Sequence, residues 1–373
     1  MHDARINVTR SSMPSLEEYV DEIAPLWDSR WLTNMGEKHK QLESELRSYL
    51  RVDNVALFAN GHLALECTLE SMGLPPGGEV ITTPFTFAST VHAIVRKGLT
   101  PVFADIKDDD YTLDPESVEH LVTPRTCAIV PVHVYGNLCN DEALRRIADE
   151  HGLRLIYDAA HAFGVELSGV GAASLGDASM LSFHATKVFN TVEGGAVCFR
   201  NPAIYDTLNQ WKNFGITGPE SVECIGGNAK LDELRCAMGL CNLRHVDDEI
   251  ALRSRIDARY RERLASVPGI KLSELQKEVR HNFAYMPVIF DERVFGATRD
   301  DVAAALANHG VFARKYFFPL VSDYECYRSV YTSEQTPVAR WVAQRVLTLP
   351  MYAGLTNQEV DMICDVVIGC GMR

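Results

Sequence analysis

Seven short runs rich in Val, Ile and Phe recur at intervals of about 25 residues, with amphipathic segments in several of the gaps, and this rhythm limits the fold more than any other feature of the chain. The runs are Val55–Phe58, Glu79–Thr82, Pro101–Ala104, Cys127–His133, Leu153–Asp158, Asp177–Phe183 and Gly195–Phe199. Strands apolar on both faces need helices on both sides of a parallel sheet, and Gly61–Met72 and Asp141–His151 carry helical patterns in two of the gaps. The expectation is an α/β fold with a mostly parallel seven-stranded sheet.

The pattern changes after Asn228 to a long helical stretch through about Val267, with Leu231, Leu234, Met238, Leu240, Leu243 and Val246 near helical spacing. Beyond it His281–Phe290 reads as a strand and Arg299–His309 as a helix behind Thr298. Thr336-Pro337 reads as an N-cap with proline at the first helical position, and Thr356 with Glu359 as the capping pair of a helix to Gly369. The division expected is a large domain over residues 1–245, including an N-terminal helical segment, and a smaller α+β domain over 246–373.

Composition narrows the function. Of 373 residues, 36 are Lys or Arg and 50 are Asp or Glu, a net charge of −14 that repels phosphate backbones and anionic membranes. No nucleic acid and no membrane partner is expected. The ten cysteines form no CxxC pair, so they read as reduced thiols, and with no HExxH or calcium loop no metal is expected. The first residues carry no apolar leader and no run reaches the roughly 18 apolar residues of a membrane span, which leads to an expectation of a cytoplasmic protein.

Three segments can carry chemistry. Phe58-Ala59-Asn60-Gly61-His62 takes a strand into a helix through small residues, and free N–H groups there suit a phosphate; an ordinary tight turn is the competing reading. Asp158 ends a buried-looking strand where α/β sheets bind ligands, or else caps a helix. Lys187 lies between two apolar strands among small and hydroxyl residues, where a desolvated amine forms Schiff bases, although most lysines are merely solvated. Together they supply the three parts of a pyridoxal phosphate site: a phosphate cradle, an acid for the pyridine nitrogen and an amine for the aldehyde. Lys187 follows Asp158 by 29 residues.

Five further stretches carry a likeness to a known family: Trp31-Leu32-Thr33-Asn34-Met35-Gly36, Thr83–Thr90, Tyr157-Asp158-Ala159-Ala160-His161-Ala162, Ser182–Gly195 and Gly227-Asn228-Ala229-Lys230. Over nearly its whole length the chain resembles the DegT/StrS-type sugar aminotransferases, which have the fold-type-I, aspartate aminotransferase-like architecture of pyridoxal phosphate-dependent transferases. His133-Val134-Tyr135-Gly136 and Arg314–Leu320 look most like the branch of dTDP-4-amino-4,6-dideoxyglucose transaminases.

The resemblance implies that Lys187 holds pyridoxal 5′-phosphate as a Schiff base and later moves the proton, while Asp158 pairs with the ring nitrogen. Phe87 would stack on the ring, with Phe85 one alignment slip away. Gly61 and His62 would give backbone N–H groups to the phosphate and Ser182 its hydroxyl, with Asn228 reaching in from the partner of a homodimer. His161 stands where glutamine is frequent; contact with the cofactor's 3-oxygen and satisfaction by nearby backbone remain alternatives. Lys230 stands where arginine is common. Lys315 and Tyr316 are the candidates for the nucleotide sugar, against a reading as domain-interface packing, and Arg30 and Trp31 are placed at the same mouth. The implied reaction is ping-pong amino transfer from L-glutamate to the ketone of dTDP-4-keto-6-deoxyglucose, in the biosynthesis of an O-antigen or other polysaccharide or of a glycosylated metabolite. A 3-keto sugar, a cyclitol ketone and a non-enzymatic cofactor-binding regulator are the rivals.

Overall fold

All seven apolar runs pair into one sheet in the computed structural model, which describes residues 5–371; Met1–Ala4, where the segment read above as lacking a leader begins, and Met372 and Arg373 lie outside the described residues. The strands are β1 (Val55–Phe58), β2 (Glu79–Thr82), β3 (Thr100–Phe103), β4 (Thr126–Ile129), β5 (Arg154–Asp158), β6 (Ala178–Ser182) and β7 (Gly195–Phe199). Their order across the sheet is β1-β7-β6-β5-β4-β2-β3. All neighbours run parallel except β7, which is antiparallel to both β1 and β6.

Period-two alternation explains why the strands read as unbroken apolar runs. Val55 and Leu57 face one core with Leu181, Ala196 and Leu42, Leu46 and Leu50 of the helix Glu37–Leu50. Ala56 and Phe58 face the opposite core with Met180, Val197 and Ala64 and Leu65 of the helix Gly61–Ser71. Both faces of the sheet are therefore covered by helices.

Two expected strands are shorter than read, each for a local reason. The run from Cys127 is a regular strand only to Ile129; Pro131, with no N–H to give, interrupts it, Val132 still bridges Asp158 beyond, and the chain then turns at Val134–Gly136 with Tyr135 at φ 58°. His281–Phe290 is a strand only over Met286–Phe290, the middle strand of a three-stranded sheet between Ile270–Leu272 and Val346–Leu349, while Val279–Arg280, just before the expected run, pairs with Glu166–Leu167. Between the two, the Asn282 amide donates to the carbonyls of His161 (2.8 Å) and Phe163 (2.9 Å), which pulls the loop down onto the large domain.

The long helix runs Glu233–Leu264, starting where the Asp232 carboxylate accepts the Arg235 N–H. Cys236, Leu240, Val246 and Ile250 pack in the large-domain core, and Ile256, Tyr260 and Leu264 in that of the smaller domain, so one continuous helix spans the expected boundary at 245/246. Ile6–Asn7, at the start of the segment assigned to the large domain, pairs with Val311–Phe312 of the smaller one. Thr356 and Glu359 cap the last helix as expected. Thr336 does not cap Pro337–Arg345: the Asp105 carboxylate, reaching across from the large domain, accepts the Val338 and Ala339 N–H groups instead.

Gly195 stands opposite both Phe58 and Ser182, at the point where β1 and β6 end beside one another. A Cβ there would lie 2.7 Å from the Gly61 nitrogen and 2.8 Å from the Asn60 carbonyl carbon, both backbone atoms. Gly195→Ala is expected to cost about 1–3 kcal/mol of stability by overpacking and to displace the Asn60–His62 turn, as measured by urea unfolding together with the amide NMR shifts of that turn.

Candidate active site

The C-terminal ends of β1, β5 and β6 open into one cavity of about 760 Å³. Asp158, the last residue of β5, is 4% exposed at its floor. Its Oδ2 accepts the Thr90 hydroxyl at 2.7 Å and its Oδ1 the Ala160 N–H at 3.1 Å; Thr90 is steadied by Thr86, 2.9 Å away. Burial pushes the Asp158 carboxyl above its ordinary value, opposed by the Thr90 hydroxyl, the Ala160 N–H and the Lys187 charge.

Lys187 projects from the loop between β6 and β7, half-buried, and its Nζ donates to the Tyr285 hydroxyl at 3.2 Å. Tyr285 comes from the loop that Asn282 holds down, so the stretch after Val279–Arg280 supplies one wall beside the amine.

At the other end lies the N-terminus of Gly61–Ser71. The Asn60 side chain accepts the Leu63 N–H at 2.9 Å, leaving the Gly61 and His62 N–H groups without intrahelical partners. A Cβ on Gly61 would lie 3.0 Å from the Ser182 Cβ, so glycine lets the helix end approach the serine. Phe87 lines the same cavity and is 61% exposed, whereas Phe85 is fully buried against Tyr111, Tyr135 and Phe317; of the two, Phe87 is the ring available to a ligand.

His161 also lines the cavity. Its Nδ1 accepts the Tyr135 N–H at 3.1 Å, and burial drives its pKa well down, so the ring is neutral with its hydrogen on Nε2. It lies parallel to Phe317 with ring centroids 5.9 Å apart. The backbone contact expected as one alternative is thus present on Nδ1, and Nε2 is left as a donor.

Gly61, His62, Phe87, Asp158, His161, Ser182, Lys187 and Tyr316 are all brought together. Lys315, Arg30 and Trp31 are not. Lys315 pairs with Asp300 at 2.7 Å outside the cavity, and Trp31 lines a separate cleft with Lys38 and Lys40. Asn228 is exposed, away from this chain's own cavity, its backbone bridged to Asn213, while Lys230 donates to the Asn213 side chain at 2.7 Å.

Sequence reasoning missed Thr90, Ser89, Tyr285, Phe317 and Arg235, all of which touch Asp158 or Lys187 or line the cavity. Thr86, just before the helix Ala88–Arg96, and Thr90 in its first turn were a usable signal. Tyr285 carries none, because its place depends on the irregular stretch before Met286 in what reads as one strand.

The donor set fits pyridoxal phosphate. A buried carboxylate suits a protonated ring nitrogen, a free amine the aldehyde, an exposed Phe87 the ring face, and a helix N-terminus beside Ser182 the phosphate. About 760 Å³ leaves room for a substrate as well.

Comparison with known proteins places the whole chain. Residues 15–368 match the DegT/DnrJ/EryC1/StrS aminotransferase family. The chain is 39% identical to the dTDP-4-amino-4,6-dideoxy-D-glucose transaminase of Shigella dysenteriae, over 97% of this chain and 98% of that one, and 38% identical to the Escherichia coli protein of the same name, over 99% and 100%. The solved structure of DesI in the presence of its TDP-sugar product superposes with a TM-score of 0.94 at 37% identity, covering 99% of this chain and 93% of that one.

Because the folded state raises the Asp158 pKa, ionised Asp158 makes the ligand-free protein less stable as pH rises through that raised value. Asp158→Asn is therefore expected to raise the thermal midpoint of the ligand-free protein by on the order of a few degrees at pH 8. Differential scanning calorimetry should find the gap closing as pH falls toward the ordinary carboxylate value of about 4.

Proposed function

The chain belongs to the DegT/DnrJ/EryC1/StrS aminotransferase family, and we propose that it transfers an amino group from L-glutamate to C4 of dTDP-4-keto-6-deoxyglucose, giving dTDP-4-amino-4,6-dideoxyglucose. The observation that carries the reading is the gathering of Lys187, Asp158 and the Gly61 helix end in one cavity of a chain so similar to transaminases named for that product.

Pyridoxal phosphate, when bound, supplies the electron sink and carries the amino group from the first substrate to the second. The residues of the chain do the rest. Gly61 and His62 N–H groups and the Ser182 hydroxyl hold the phosphate against the positive end of the helix. Asp158, in a site with little water, keeps the ring nitrogen protonated and so stabilises negative charge that develops next to it. The Lys187 amine takes the proton from the amino-bearing carbon of the donor and returns one to the ketone carbon of the acceptor; Tyr285, 3.2 Å away, orients it by accepting one of its hydrogens. His161 offers Nε2–H to an oxygen in the ring plane. Arg235 and Tyr316 on the cavity wall supply a cation and an aromatic surface for the second substrate.

Asn228 is exposed, on a segment rich in exposed apolar residues: Phe214, Ile216, Val222 and Ile225. That surface suits a second copy of the chain, with Asn228 reaching the partner's phosphate and each site shared across a homodimer.

Lys187→Ala is expected to lose about 10²–10⁴-fold or more in turnover. In the wild-type protein, L-glutamate should bleach the visible band of the lysine-bound cofactor and the keto sugar should restore it. NMR of the product should place the amine on C4; an amine on C3 would move the assignment to a 3-keto sugar, and no response to glutamate would overturn it. Mixing inactive Lys187→Ala with inactive Asn228→Asp should recover up to about one quarter of wild-type activity through mixed dimers with one intact site, whereas unshared sites would recover none.

A further inference from the structure

A row of three polar groups at the phosphate end of the cavity has no part in the account above. His62, on the helix Gly61–Ser71, has its Nδ1 2.9 Å from the Ser89 hydroxyl and its Nε2 3.1 Å from the Glu66 carboxylate. Glu66 also holds the Arg96 guanidinium. Ser89 lies in the first turn of the neighbouring helix Ala88–Arg96, and both His62 and Ser89 line the cavity. Carboxylate, imidazole and hydroxyl thus stand in sequence, and the cavity end of the row is the Ser89 oxygen.

The hydrogen count along the row decides what Ser89 can do. Burial opposes ionisation of Glu66, but His62 and Arg96 outweigh it and hold the carboxyl below its ordinary value, so Glu66 is an acceptor and a hydrogen sits on His62 Nε2. In the neutral ring, Nδ1 is then an acceptor and Ser89 donates its only hydrogen to it. In the doubly protonated ring, Nδ1–H donates to Ser89, and the hydroxyl hydrogen is released toward the cavity. Two helix N-termini converge there, which favours a dianion.

We propose that Ser89 is a further phosphate-binding residue of the cofactor site, and that the His62 side chain, anchored by Glu66, is a positioning residue whose Nδ1 holds the Ser89 hydroxyl at the phosphate end of the cavity. The proposal rests on the pyridoxal phosphate reading. The charged and titratable neighbours of His62 are Glu66 on its own helix and Arg96 and His92 on the packed one; from the sheet come the neutral Ser182 and Met180.

The test is the affinity of the full-length protein for pyridoxamine phosphate, which forms no bond to Lys187, with phosphate-free pyridoxamine as the control. Ser89→Ala should weaken pyridoxamine phosphate about ten-fold or more, the size of one hydrogen bond to a charged group, and leave pyridoxamine unchanged. Ser89→Thr, which keeps the hydroxyl, should recover most of the loss. His62→Gln should weaken pyridoxamine phosphate and leave pyridoxamine unchanged. Equal pyridoxamine phosphate affinity in wild type and Ser89→Ala would overturn the assignment of Ser89, and equal affinity in wild type and His62→Gln would overturn the role of His62. Failure of wild type to bind pyridoxamine phosphate at all would instead overturn the cofactor reading.

Discussion

A carboxylate shut away from water at the end of the central strand is the constraint around which the site is arranged. An isolated buried charge costs several kcal/mol, so Asp158 stands only because Thr90, the Ala160 N–H and the Lys187 charge offset part of its desolvation. That compensation also builds. Thr90 belongs to the helix Ala88–Arg96, so its bond to Asp158 seats the helix against β5 and fixes Phe87 and Ser89 at the cavity wall. The remaining deficit is useful: a raised carboxyl pKa is relieved when a cation such as a protonated ring nitrogen approaches, so the energy withheld from folding becomes binding energy.

The smaller domain is tied to the same short stretch of chain. Asn282 donates to the carbonyls of His161 and Phe163, and Gly136 permits this approach, because a Cβ there would lie 2.7 Å from the Asn282 Oδ1. Tyr135, immediately before it, donates its N–H to His161 and its hydroxyl to the Tyr316 carbonyl. The turn after β5 is thus bonded at once to the loop bearing Tyr285 and, through Tyr135, to the loop bearing Tyr316 and Phe317. Two walls of the cavity are set by one turn of the third.

What was legible in the sequence follows from where the information is local. The seven strands were readable because each is apolar on both faces, and Asp158, Gly61 and Ser182 because they sit at strand ends or a helix start, where position is dictated by a few neighbouring residues. Lys187 was readable from its company of small and hydroxyl residues. Tyr285 and Thr90 were not, since each meets its partner across 98 and 68 residues of chain respectively. The bond from Tyr135 to His161 was not either: the two are only 26 residues apart, yet the donor is a backbone N–H, to which side-chain identity gives no clue. Lys315 misled for the converse reason: adjacency to Tyr316 in sequence placed it beside the cavity, but its side chain turns outward to Asp300.

A chain carrying a net charge of −14 is a poor attractor of anions at long range, yet every ligand proposed for it is anionic. The contradiction dissolves at short range, because the field inside the cavity is set by oriented groups rather than by the sum of charges. The ends of Gly61–Ser71 and Ala88–Arg96 meet where His62 bonds Ser89, and Lys187 and Arg235 line the same walls, while Asp158 occupies the floor, bonded to Thr90 in the first turn of Ala88–Arg96. Surface charges are screened over about 8 Å at physiological salt, but fixed dipoles in a partly dry cavity are not. Asp158 and the Gly61–Ser71 helix end beside Ser182 therefore give the cavity an acidic part and an anion-attracting part, and the proposed ligand, cationic at its ring nitrogen and anionic at its phosphate, would be oriented by both.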